Sequence, residues 1–228
     1  TQMTLFTANG MLMGLTRGYM RGIGGRPEKY VDGAYIDWYS TQTQEYGLFM
    51  KHTWLRDLPE MAHRRAPGNT CMNACANMIR GKEVHNNSKG CGGIMRVAPM
   101  ALLDAGYASR GEHTYSLEEL AEAGGEIAES THKHPLGFLP AALLTVLIYK
   151  VVPLSPEQVR KSFFRIAAET MGVLDLIYKG KYEVDKRYLH ELSQRALDLA
   201  RSDVPDAEAV RQLGEGWTGE EAWAIALY

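Results

Sequence analysis

Three short segments constrain the fold first. Ser116-Leu117-Glu118-Glu119 has the spacing of a capping box. In that motif a hydroxyl accepts from the third helical N–H while the glutamate reaches back to the capping N–H. Behind it, Leu117, Leu120, Ala121, Gly124, Ile127 and Ala128 keep a helical period. Ser155-Pro156-Glu157-Gln158 repeats the signal, with proline at the first helical position, where its missing N–H is tolerated. Val159, Phe163, Ile166, Thr170, Val173 and Ile177 line one face behind it, and Gly180 fits that helix's end. Thr218-Gly219-Glu220-Glu221 opens a third helix.

Other helices follow from periodicity, and strand signals hardly appear. Met3, Phe6, Gly10, Met13 and Gly14 form one stripe, ended by Gly22, Gly24, Gly25 and Pro27. Tyr30 to Tyr46 reads as an aromatic-rich helix. Asn69 or Thr70 can cap the next, through Ala74 and Met78 toward Gly81. Met95 to Leu103 reads as another, with Gly106 as its stop. Asp185 to Ala200 is amphipathic through Leu189, Leu192, Ala196 and Leu199, and a further helix ends near Gly214. The expectation is one all-α domain over residues 1–228, with about eight to ten helices.

Composition excludes several classes. Lys+Arg total 25 against 27 Asp+Glu, so a net charge of −2 offers no electrostatic argument for nucleic acid or an acidic membrane. Hydrophobic content of 45% and charge of 23% fit a soluble globular chain. The longest apolar-rich stretch, Pro140 to Val152, is interrupted by Thr145, Tyr149 and Lys150. It falls short of the ~20 residues that span a bilayer and reads as a buried core helix. Thr1 is followed by no leader pattern, so the expectation is a chain that starts mid-protein or after processing. Cys71, Cys75 and Cys91 make an odd count, which points to free thiols in a reducing, cytoplasmic compartment. Cys71-x-x-x-Cys75 with His85 and Cys91 lacks the second paired motif of a zinc site, and small buried thiols are the preferred reading.

Chemistry concentrates in Asn86-Asn87-Ser88-Lys89-Gly90-Cys91-Gly92-Gly93-Ile94-Met95-Arg96-Val97-Ala98-Pro99. Gly90, Gly92 and Gly93 leave backbone N–H groups unshielded ahead of a helix start. That arrangement suits an anion cradle. An ordinary interhelical loop is the alternative. Arg96 admits a phosphate clamp, but holding the loop through backbone carbonyls or a carboxylate is the preferred reading, and Met95 reads as core. Ser130-Thr131-His132-Lys133-His134-Pro135 places two histidines at a helix–proline boundary. His52, His63, His85, His113 and His190 read as surface residues. Glu126 and Glu129 read as a solvated helix face, and Asp203 and Asp206 as capping residues around Pro205.

The loop's Ser-x-Gly-x-Gly-x-x-Met-Arg-x-x-Pro pattern resembles the signature of the ADP-ribosylglycohydrolase family. Thr1-Gln2-Met3-Thr4-Leu5 resembles the tail of its Asp-Asp-Thr-x-Met metal motif. Pro67-Gly68-Asn69-Thr70 resembles its Gly-x-Thr segment, and Thr131-His132-Lys133-His134-Pro135 its Thr-His-x-His-Pro segment. These matches cover roughly the first 150 residues, in the family's order. Lys89 and Cys91 stand where the family has Asn or Gly. The resemblance implies a compact, orthogonal multi-helix bundle and a hydrolase that removes ADP-ribose from a modified protein or small acceptor. It places Ser88, Gly90, Cys91, Gly92, Gly93 and His132 around ADP-ribose, and gives Thr1 a role in holding two magnesium ions. The remaining ligands would lie outside this sequence, so the chain itself is expected to show little hydrolysis. The rival readings are a non-catalytic ADP-ribose or nucleotide-binding module and a helical interaction protein.

Overall fold

The computed structural model describes residues 2–23, 25–47, 50–112 and 114–228. The chain is all-α, and no strand forms among the described residues. The helices run α1 (Gln2–Arg21), α2 (Val31–Thr43), α3 (Asn69–Ile79), α4 (Ala98–Ser109), α5 (Leu117–Glu129) and α6 (Pro135–Val151). They continue with α7 (Pro156–Met171), α8 (Val173–Ile177), α9 (Glu183–Leu199), α10 (Asp206–Leu213) and α11 (Gly219–Leu227).

The capping signals are realised. Ser116 Oγ accepts from Glu119 N at 3.2 Å, and Ser116 N donates to Glu119 Oε2 at 2.9 Å. Ser155 and Gln158 exchange the same pair at 3.3 and 2.8 Å. Ahead of α11, the Glu221 carboxylate accepts from the N–H groups of Trp217 and Thr218.

Several boundaries differ from the periodic reading. The helix expected to reach Gly180 breaks at Gly172 into α7 and α8. Glycine is a poor helix former, and Val173 and Leu174 are buried beyond it, so the apolar spacing hides the turn. The helix expected at Met95 begins at Ala98, where Pro99 sits in the first turn, and it runs through Gly106 to Ser109. Gly68, not Asn69 or Thr70, occupies the cap of α3 and supplies no side-chain hydrogen bond. On α1, Met11 is buried and Met13 is 39% exposed, because Gly10 and Gly14 turn toward Ala34 and Tyr30.

Helix α6 forms the centre, with α4, α5, α7, α8, α9 and α11 packed around it. Phe138, Leu139, Ala142, Leu143 and Val146 belong to a core that also takes in Phe6 and Leu227. The approach of α5 to α6 depends on Gly124. A Cβ there would stand 2.1 Å from Thr145 Oγ1 and 2.7 Å from Thr145 Cβ. Thr145 is buried and committed to the Ala141 carbonyl at 2.8 Å. Gly124→Val is therefore expected to destabilise the fold by about 3 kcal/mol through overpacking. Urea unfolding reads this, and a variant as stable as the parent sinks the packing argument.

No helix among the described residues is long and apolar enough to cross a membrane. All three cysteines are free thiols.

Candidate ligand-binding site

The glycine loop is fixed from both sides. An isolated antiparallel bridge joins Gly90 to Thr218, with Cys91 N donating to Trp217 O at 3.0 Å and Gly219 N to Lys89 O at 2.7 Å. Lys89 Nζ donates to the buried Glu220 carboxylate at 2.8 Å, and that contact raises the Lys89 pKa. The segment before α11 thus acts as a strap over the loop. On the other side, Asn86 ties the loop to the end of α5, donating to Thr131 O at 2.9 Å and accepting from Lys133 N at 3.1 Å.

The tied loop forms one wall of a cavity of about 450 Å3. Gly90, Cys91, Gly92 and His132 lie on that wall, and Gly68, Thr70 and Cys71 at the start of α3 lie on another. The first N–H groups of a helix have no intrahelical partner, and α3 has no side-chain cap to satisfy them. Gln2, Met3 and Thr4 bring the start of α1 to the same cavity, Trp38 adds an indole from α2, and Ala66 adds backbone in the left-handed region at φ 45. Met95 and Trp217 border the cavity and are 53% and 74% exposed.

Arg96 also borders the cavity, although the residue is buried. Its Nη2 donates to Ile127 O at 3.0 Å, Ala128 O at 3.4 Å and Thr131 Oγ1 at 2.5 Å. Its guanidinium sits 4.5 Å from the centroid of the Tyr35 ring, within cation–π range. Arg96 thus holds the end of α5 through backbone carbonyls, as the sequence reading preferred. His132 Nδ1 lies 2.8 Å from Thr131 Oγ1. Burial, reinforced by the Arg96 charge, pushes the His132 pKa down to about 3. The imidazole is therefore neutral throughout the physiological range.

The expected site residues divide. Gly90, Cys91, Gly92 and His132 come together on the cavity. Ser88 stands behind the loop, its Oγ 3.2 Å from Thr70 Oγ1 and accepting from Gly90 N at 3.4 Å. Gly93 is a packing residue, because a Cβ there would stand 2.7 Å from Gly137 O and 3.0 Å from Ala128 Cβ. These two hold the loop in shape and do not line the cavity. His134 caps α6, accepting from Leu136 N at 3.0 Å. Met95, read from the sequence as core, stands on the rim, because the single 3-10 turn Ile94–Arg96 buries Ile94 and Arg96 and leaves Met95 outward. His190, read as a surface residue, is half-buried and lies 3.1 Å from Met171 O; His113 lies outside the described residues. Trp38, Cys71 and Trp217 are cavity residues that periodicity did not single out.

Thr1, the metal candidate, lies outside the described residues. Among the described residues no group of three or more His, Cys, Asp or Glu side chains could hold a metal ion. Magnesium requires an octahedron of oxygens, usually with one or two carboxylates, and the described cavity wall offers hydroxyls, thiols, amides, the guanidinium groups of Arg65 and Arg96 and a neutral imidazole instead. The described residues do not fit that ion. Glu126 and Glu129 pair with Lys29 and Lys133, and Asp206 accepts from the Tyr228 hydroxyl at 2.8 Å in the first turn of α10.

Residues 1–228 match the ADP-ribosylglycohydrolase family model. No curated protein and no solved structure matches the chain significantly.

Proposed function

Because the chain belongs to the ADP-ribosylglycohydrolase family, a hydrolase family acting on ADP-ribose, we propose that its cavity holds the ADP-ribose unit of a modified protein or small acceptor. One observation carries this reading. The bare backbone of Gly90 and Gly92, the neutral His132 ring and the uncapped first turn of α3 face a single cavity. The helix N-terminus suits the diphosphate, whose charge its free N–H groups and dipole favour. The imidazole suits a ribose hydroxyl or a phosphate oxygen. Met95 and Trp217 at the rim suit the flat face of a base, since indole and thioether both pack well on aromatic rings.

The family chemistry is hydrolysis at the anomeric carbon, where water replaces the acceptor through an oxocarbenium-like transition state. The described residues would bind and orient ADP-ribose for that step. They offer no ligand set for magnesium, which favours a second reading for this chain, binding without turnover.

Calorimetry with ADP-ribose tests both readings. The expected result is saturable binding whose affinity is unchanged by EDTA or added magnesium, with no acceptor released from an ADP-ribosylated peptide. A folded sample that gives no binding heat overturns the assignment of the cavity. Magnesium-dependent release of ADP-ribose overturns binding without turnover and restores a metal site.

A further inference from the structure

The hydrogen bonds around Thr131 decide which ring nitrogen of His132 carries its proton. A threonine hydroxyl has one hydrogen to give and two lone pairs to receive with. The Arg96 guanidinium can only donate, and its Nη2 lies 2.5 Å from Thr131 Oγ1. One lone pair of that oxygen is therefore occupied. Thr131 is fully buried, and among the described residues the one acceptor within reach of its hydroxyl hydrogen is His132 Nδ1, at 2.8 Å. A proton on Nδ1 would place two donors against the oxygen and leave the hydroxyl hydrogen buried without an acceptor, at a cost of about 1–3 kcal/mol.

The other ring nitrogen faces the cavity. His132 Nε2 lies 3.1 Å from where a Cβ on Gly92 would stand and 3.6 Å from one on Gly90. It makes no hydrogen bond to any described residue, and His132 borders the cavity. We propose that Thr131, oriented by Arg96, is a positioning residue that holds His132 as its Nε2–H tautomer, so that the ring presents a hydrogen-bond donor to an oxygen of the bound ligand. The ring is then not the base that activates water, and the site favours a ligand with a phosphate or hydroxyl oxygen beside Gly90 and Gly92. That the oxygen belongs to ADP-ribose rests on the proposed function; the tautomer does not.

Nitrogen-15 NMR of the imidazole in the full chain at pH 7 tests the relay without any ligand. The expected spectrum shows a protonated Nε2 and an unprotonated Nδ1 displaced by an accepted hydrogen bond. Thr131→Val should move the Nδ1 resonance to the value of a nitrogen that accepts no bond, and Thr131→Ser should restore it. A protonated Nδ1 in the parent protein overturns the proposal, as does an Nδ1 resonance unmoved in a folded Thr131→Val variant. Should that variant fail to fold, the parent and Thr131→Ser spectra still decide. ADP-ribose titration forms a separate arm, with affinity expected to fall about tenfold in Thr131→Val. Absence of ADP-ribose binding alongside the expected tautomer fails the ligand assignment and leaves the relay standing.

Discussion

Arg96→Ala is expected to lower the unfolding free energy by about 3–5 kcal/mol. The guanidinium joins the Ile127 and Ala128 carbonyls to the Thr131 hydroxyl, and it lies over the Tyr35 ring. Truncation removes the charged donor from the Thr131 hydroxyl and from two carbonyls, leaving Ile127 O with Ser130 Oγ and Ala128 O with the Thr131 and His132 N–H groups, and it opens a void among close-packed neighbours. For a chain of this size the melting temperature should drop by roughly 10 °C. Arg96→Met separates the two causes, since it restores much of the volume but none of the hydrogen bonds. Arg96→Lys keeps the charge without the planar fork and should also fall below the parent. Urea unfolding of the three variants provides the measurement, and an alanine variant within about 1 kcal/mol of the parent refutes the anchoring role. Arg96 forms no ion pair among the described residues, and burying such a cation is costly. Arg96→Met therefore reports how far three carbonyl and hydroxyl contacts offset that cost.

Gly92→Leu is expected to weaken ADP-ribose binding at least tenfold while the protein stays folded. The new Cβ would meet His132 Cε1 and Nε2 at 3.1 Å and Cys71 Sγ at 3.6 Å, and the isobutyl group would extend past them on the cavity wall. Its neighbour should fail in the opposite way. At Gly93 the added atom meets the backbone oxygen of Gly137 at 2.7 Å, which cannot step aside as a side chain can. Gly93→Ala should lower stability first and affinity only as a consequence. Calorimetry paired with thermal melting on the two variants distinguishes these outcomes. If Gly92→Leu binds ADP-ribose as tightly as the parent, the cavity is not the binding site. A helical interaction protein predicts that its function survives this substitution.

Much of the fold was legible because helix starts are local. The Ser116 and Ser155 boxes close over three residues, so their spacing suffices to find them. The break at Gly172 was not legible, since Val173 and Ile177 keep the apolar spacing of the helix before it. In the candidate site, the sequence reading named Gly90, Cys91, Gly92 and His132, which meet on one cavity. It did not separate Gly92, on the cavity, from Gly93, pressed on α6. Both glycines look alike in sequence and differ only in what stands opposite them.

The sequence by itself determined that the chain is helical and where most helices begin. Those properties depend on hydrogen bonds and periodicities within a few residues. Tertiary structure alone decided that Lys89 meets Glu220 across 131 positions, and that Trp217 stands on the rim of the cavity. It also decided that Arg96 meets Thr131 Oγ1, which in turn lies against Nδ1 of His132. These contacts exist because α6 gathers α4, α5 and α11 around a single core, and no spacing along the chain encodes which side chains that packing brings face to face.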